Sequence, residues 1–359
     1  NYKGSAFGGA PYSLQALDRA FPGSNNSGFA STNNSFYLDR LYYRWPISKS
    51  FTAAVGPQAR NTEFLGTAPF YYTDHAGLDF FQLHGAPGTY NKATGGTFAL
   101  IWKQPVKKGN PYFTASTSLV SPGSYLSDAQ GNSGPSGSNS SDPVNAGGIL
   151  GSRSADSWLT QIAYVKDQWK AAFAWRYGQC GENTNYQNRR GTQAAIQALA
   201  CNTAAGGNQP VSNNFALSWA WQPKNSGTVV PSVSLGYGYS AYSQMGTNTY
   251  SPANIAKGGN ALAGYGALGT SQTNQFATVG NIAATQSWTV ALQWKDAFSK
   301  GNSAGLAVGQ PSFVTSLRNG NTPQDGNYAW EWWYKFKVSD QISITPTLFY
   351  LSNPSSAGN

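Results

Sequence analysis

Between Tyr328 and Val338 the side chains alternate. Tyr328, Trp330, Trp332, Tyr334, Phe336 and Val338 share one face, and Ala329, Glu331, Trp333, Lys335 and Lys337 share the other. Ser339, Asp340 and Gln341 interrupt the pattern. A second alternating run follows, with Ile342, Ile344, Pro346, Leu348 and Tyr350 opposite Ser343, Thr345, Thr347, Phe349 and Leu351. A period of two predicts strands, and the short polar break predicts a hairpin. An aromatic stripe opposes charged residues on one strand. Eleven residues at about 3.3 Å each, tilted by ~40°, rise about 28 Å, close to one bilayer core. That is the pattern of a transmembrane barrel strand, apolar outside and polar inside. One hairpin of a soluble sandwich reads the same way, so recurrence has to decide.

The pattern recurs along the chain. Strands are expected at about 36–47, from 51, at 97–103, 111–120, 157–165, 169–177, 214–222, 228–241, 286–295 and 304–310, before the closing hairpin. Leu41, Tyr43, Trp45 and Ile47 share a face against Arg40, Tyr42 and Arg44, which leaves Asp39 on the apolar side. Trp169, Ala171, Phe173, Trp175 and Tyr177 alternate without a break against Lys170, Ala172, Ala174 and Arg176. Phe215, Leu217, Trp219 and Trp221, and later Trp288, Val290, Leu292 and Trp294, repeat the outward stripe. Short polar turns alternate with long loops at 57–96, 121–156, 178–213, 242–285 and 311–326. Short periplasmic turns and long extracellular loops mark outer-membrane barrels. Trp45, Trp102, Trp169, Trp221 and Trp294 lie beside short turns, and Trp158, Trp175, Trp288 and Trp330 toward the long loops. Two tryptophan levels predict two aromatic girdles. Stretches 14–21 and 192–200 are read as short helices within loops.

The reading is therefore an all-β chain: a transmembrane antiparallel β-barrel with at least 12 strands, forming a single domain over 1–359. Only 10% of residues are charged, against about 25% in soluble domains. The mean hydropathy of -0.40, with no apolar run of 18 residues, excludes a helical membrane protein. The net charge is +9, but the basic residues do not cluster, which argues against a nucleic-acid patch. Cys180 and Cys201 lie in one polar loop with no histidine beside them. A disulfide fits an exported protein better than a metal site or two free thiols. The chain begins without Met or a signal peptide, and it is expected to be a piece of a longer protein.

By alternation the inward residues include Arg40, Arg44, Lys103, Lys170, Arg176, Lys295, Lys335, Lys337 and the acid Glu331. A basic lining raises the local concentration of anions and eases their passage. Lys103, Lys295, Lys335 and Lys337 lie close to turns and suit the rim. Arg40, Arg44 and Arg176 lie deeper and suit the pore wall. Trp333 also faces inward. The loop 57–96 or the loop 121–156 is the candidate constriction. His75 and His84, with Asp74 and Asp79 near them, match no helix or strand spacing for a metal. Neither a catalytic constellation nor a cofactor motif is present in the sequence.

Two stretches, LDRLYYRWPISKSFTAAVG (38–56) and WEWWYKFKVSDQISITPTLFYLSNP (330–354), carry a family resemblance. With them the chain resembles the cyanobacterial outer-membrane porins of the carbohydrate-selective, OprB-like family. The turn and strand VSDQISITP are the most specific part. The resemblance implies a homotrimer in the outer membrane of a Gram-negative cell, with about sixteen strands per subunit. It also implies an S-layer homology domain that binds peptidoglycan-linked polymer and is not in this chain. Its cyanobacterial branch implies a route for inorganic ions and small solutes more than for sugars. The expected function is thus passive diffusion with a mild anion preference, not catalysis. A barrel plugged by its loops, acting as an anchor or receptor, is the alternative.

Overall fold

The computed structural model describes residues 40–72, 77–122, 149–150, 156–179, 191–192, 195, 211–224, 229–243, 282–318, 323 and 325–352. The strands are β1 (Leu41–Pro46), β2 (Phe51–Arg60), β3 (Thr94–Lys103), β4 (Tyr112–Ser121), β5 (Ser157–Lys166), β6 (Trp169–Gln179) and β7 (Val211–Trp221). They continue as β8 (Ser232–Tyr242), β9 (Ile282–Lys295), β10 (Ser303–Leu317), β11 (Ala329–Lys337), β12 (Ser343–Ile344) and β13 (Thr347–Leu351). All lie in one antiparallel sheet in which each strand pairs with the next, β13 joining β11 beside β12. Among the described residues β1 and β13 do not pair with each other, so the sheet is not closed.

The twelve expected strands are all present, and the last is split. Pro346 cannot donate to a ladder and interrupts the expected run 342–351. Its carbonyl still accepts from the Tyr334 amide at 3.1 Å. The other clear difference is β10, which was expected to stop at Gln310 and runs through Pro311 to Leu317. Register shifts between Gln310 and Phe313 form a bulge that removes Pro311 from the ladder. The helix expected at 14–21 and Asp39 lie outside the described residues, as does most of 192–200.

The period-two pattern sorts the side chains as expected. Outward positions such as Phe98, Ile162, Phe173, Leu217, Leu306 and Trp332 are exposed. Outward indoles find acceptors: Trp158 Nε1 donates to Thr117 Oγ1 (2.7 Å), Trp175 Nε1 to Asn213 Oδ1 (3.1 Å) and Trp288 Nε1 to Gln310 Oε1 (2.7 Å). Inward positions are mostly small or polar. They run Thr114, Ser116 and Ser118 on β4, Ala172 and Ala174 on β6, and Ala216, Ser218 and Ala220 on β7, all buried.

Those small inner residues make room for the segment between β2 and β3. It enters through a short 3-10 turn, Asn61–Phe64, and contains a second, Asp79–Leu83. Phe70, Tyr72, Leu78, Phe80 and Phe81 pack on Ala291, Ala307, Ala329, Trp333 and Leu351 of β9, β10, β11 and β13. Tyr90 and Ala86 pack on Leu159, Ala174 and Ala216 of β5, β6 and β7. Phe64 packs on Ala54, Ala99 and Ile101 of β2 and β3. One loop thus touches wall strands from β2 to β13, and the sheet is wrapped around it. Gly236 on β8 is needed for that approach: a Cβ there would overlap the His84 carbonyl and the Phe70 ring.

Candidate functional site

The inner loop is held by charged and polar side chains of the wall. On β11, Glu331 is fully buried and accepts from the Tyr72 hydroxyl (Oε1, 2.6 Å), the Leu78 amide (Oε2, 2.7 Å) and the Gly77 amide of the loop. Trp333, two residues on, donates its indole N–H to the Tyr72 oxygen at 2.8 Å. The result is a relay in which Trp333 donates to Tyr72 and Tyr72 donates to Glu331. Burial, and next the Glu331 charge, push the Tyr72 phenol well up, so it stays protonated and donates. Replacing Tyr72 by Phe removes the donor to Glu331 and the acceptor for Trp333. We expect a loss of about 1–2 kcal/mol of stability, measured by denaturant unfolding.

On β6 two cations hold the loop's other parts. Lys170 Nζ donates to the Phe70 carbonyl at 3.0 Å and lies 4.0 Å from the Tyr71 ring centroid. Arg176 has no exposed surface; its Nε donates to the Gly88 carbonyl at 2.6 Å and its Nη1 to Ser157 Oγ at 3.4 Å. Arg40, just before β1, pairs with Glu63 in the first 3-10 turn. Asn61 Nδ2 donates to Asn91 Oδ1 at 2.7 Å, closing the base of the loop. Further contacts are to wall hydroxyls, with Ser116 Oγ accepting from the Gly66 amide and Ser234 Oγ accepting from the Tyr71 amide.

Of the expected inward charges, the structure therefore gathers Lys170, Arg176, Glu331 and Arg40 on the inner loop. It does not bring the others there. Arg44 is exposed on the edge strand β1. Lys103 and Lys295 are exposed and Lys335 half-buried, all in the last residues of strands that end at short turns. Lys103 Nζ lies 4.2 Å from the centroid of the Tyr112 ring. Cys180 and Cys201 lie outside the described residues, and so do His75 and Asp74. Of the two candidate constrictions, the first lies on the inner face of the sheet among the described residues. It spans 61–93 between strands instead of 57–96. Most of 121–156 lies outside the described residues.

His84 sits within the loop, between the rings of Phe70 (5.0 Å) and Tyr90 (5.1 Å), both edge-on. Burial, then Lys170 and Lys92, push it down to about 3, so it is neutral at ordinary pH. No group of three His, Cys, Asp or Glu that could hold a metal occurs among the described residues.

Some wall groups keep unpaired polar atoms. Thr289 Oγ1 and Gln293 Oε1 are buried without a partner among the described residues. They lie on β9, on the inner face. Polar atoms left over between loop and wall are sites for water. The sequence reading missed Tyr72, Trp333 and Asn61 as loop anchors. The available signal was the loop's own composition: Phe64, Phe70, Tyr71, Tyr72, Phe80, Phe81 and Tyr90 are too many aromatics for a water-exposed connection.

The architecture is that of one antiparallel sheet of thirteen strands wrapped around an inserted loop. No family model matches the chain. An uncharacterized protein of Nostoc sp. is 22% identical over 334 residues, which cover 91% of this chain and 48% of that protein. The chain thus spans about half the length of the curated relative it matches. The high-pH structure of OprB from Pseudomonas putida aligns with a TM-score of 0.46 at 10% identity, covering 89% of this chain and 69% of that one.

Proposed function

We propose that this chain is an outer-membrane porin for passive diffusion of inorganic ions and small hydrophilic solutes, with a mild anion preference. One observation carries the reading. The strands that expose Phe98, Ile162, Phe173 and Leu217 outward present Ser, Thr, Ala and Gln inward, around a loop folded into the sheet. Lipid solvates the first face, and water with a constricting loop occupies the second. A strand of ten residues such as β5 rises about 25 Å when tilted by ~40°, the height of the apolar band of such barrels.

Closure of the sheet by additional strands, to about sixteen, belongs to this proposal. So do a homotrimer built on the apolar outer face, a cyanobacterial source, and attachment to peptidoglycan through a domain outside this chain. The disulfide between Cys180 and Cys201 is part of it as well.

A second reading is a plugged barrel that anchors or serves as a receptor. It is favoured by the close packing of the loop on the wall, where Trp333, Arg176 and Glu331 have no exposed surface. Conductance across a planar bilayer separates the two. Stable single-channel steps are expected from the purified protein, with an anion-selective reversal potential under a KCl gradient. Correctly folded protein without conductance would overturn the porin and support the plug.

A further inference from the structure

The deep charges are occupied by the inner loop, which raises the question of what a passing anion meets. Arg176 and Glu331 have no exposed surface, and Lys170 is buried against Phe70 and Tyr71. Among the described residues, a group of accessible cations lies instead at the mouth where the short turns are. Its turns carry Lys49, Lys107, Lys108, Lys224 and Lys300. Its acids are partly used: Asp340 pairs with Lys337 at 2.7 Å, and Asp296 Oδ1 accepts from the Gly301 amide at 2.6 Å.

On the inner face of this mouth three residues form one cross-strand row. Ser303 of β10 is opposite Lys295 of β9 on one side and Lys335 of β11 on the other. All three have inward parity, alternating with the outward Trp294, Leu306 and Trp332. Among the described residues neither lysine has an ion-pair partner. Two strand spacings separate their backbones by about 10 Å. A tetrahedral oxyanion held between two ammonium groups spans about 8 Å from nitrogen to nitrogen. The row therefore has the width for one such anion, with the small Ser303 hydroxyl beneath it as a third donor. The next row down is Gln293, Gly305 and Trp333, in which the Trp333 ring lies over Gly305. That ring bounds the row on the side away from the mouth.

We propose that Lys295, Ser303 and Lys335 form an oxyanion-binding subsite at the short-turn mouth, for phosphate, sulfate or a carboxylate. The subsite sets the anion preference of the channel, and the buried arginine and lysine of β6 do not. This rests on the porin reading. Its electrostatic attraction is screened by salt, since the screening length falls from about 10 Å at 0.1 M to about 3 Å at 1 M.

The test is reversal potential and phosphate block of the chloride current, on the full chain in a planar bilayer. In 0.1 M KCl, the Lys295→Gln/Lys335→Gln pair is expected to lower the anion-to-cation permeability ratio about three-fold. Block by millimolar inorganic phosphate should be lost with it. At 1 M KCl the variant and the parent should converge. Lys295→Arg/Lys335→Arg should retain both properties, which separates charge from fold. Lys107→Gln/Lys108→Gln removes equal charge from a turn outside the row and should change selectivity less and keep the block. Unchanged selectivity in the Gln pair, or an equal effect of the turn pair, overturns the subsite while leaving the channel. Absence of conductance in the unmutated protein overturns the channel itself and the subsite with it.

Discussion

Glu331→Ala will release the inner loop from β11. The carboxylate accepts from the Tyr72 hydroxyl and from the Leu78 and Gly77 amides, all of them buried. Truncation takes the acceptor from a buried hydroxyl and two buried amides, at about 3 kcal/mol or more in total. The loop will meet water more often, so the Leu78 amide will exchange its hydrogen faster. On the porin proposal, single-channel conductance will rise as the loop leaves the wall. Glu331→Gln is the finer variant. Its oxygen still accepts from Tyr72, but its amide group faces the Leu78 N–H, donor against donor. An intermediate loss is expected. Unchanged exchange at Leu78 together with unchanged conductance in the Ala variant would sink the idea that Glu331 holds the loop.

The strand framework was legible because the physics that makes it is periodic. An outward Trp–Val–Leu–Trp run at 288–294 against Thr289, Ala291 and Gln293 has one consistent reading, and β9 follows it. Where a local device breaks the period, the reading failed. Pro311 looks like a strand end until the bulge at 310–313 takes it out of the ladder. Pro346 looks tolerable on one face until its missing N–H splits the last strand.

The role of the inward charges was less legible, because alternation gives the face of a residue and not its partner. Arg176 and Lys295 have the same parity, yet one is sealed against Gly88 and the other is exposed. The difference is made by a loop about a hundred residues away from Arg176 in sequence, and no spacing rule connects the two. The inner alanines carried the hint: Ala54, Ala99, Ala174, Ala216, Ala291 and Ala307 are too small to fill a barrel by themselves. A wall of small residues and a loop of large ones are complementary volumes, and close packing requires them to meet.

Leu217→Arg tests whether the outer face meets lipid. Leu217 lies near the middle of β7, opposite Phe173 and Tyr237, and is 58% exposed. If water covered that face, an arginine there would change stability by no more than about 0.5 kcal/mol. In a bilayer a cation at the midplane costs about 2–4 kcal/mol, and near the interface only about 0–1. We therefore expect folding into phospholipid vesicles to be weakened roughly 30- to 1,000-fold by Leu217→Arg. Val233→Arg, outward on β8 beside the short turn and paired with Trp221, should have little effect, because its guanidinium reaches the headgroups. The contrast between the two positions is the informative quantity. A depth-dependent penalty has no counterpart on a water-covered sheet, where both variants would behave alike. Equal, small effects at Leu217 and Val233 would remove lipid from the outer face and the channel reading with it.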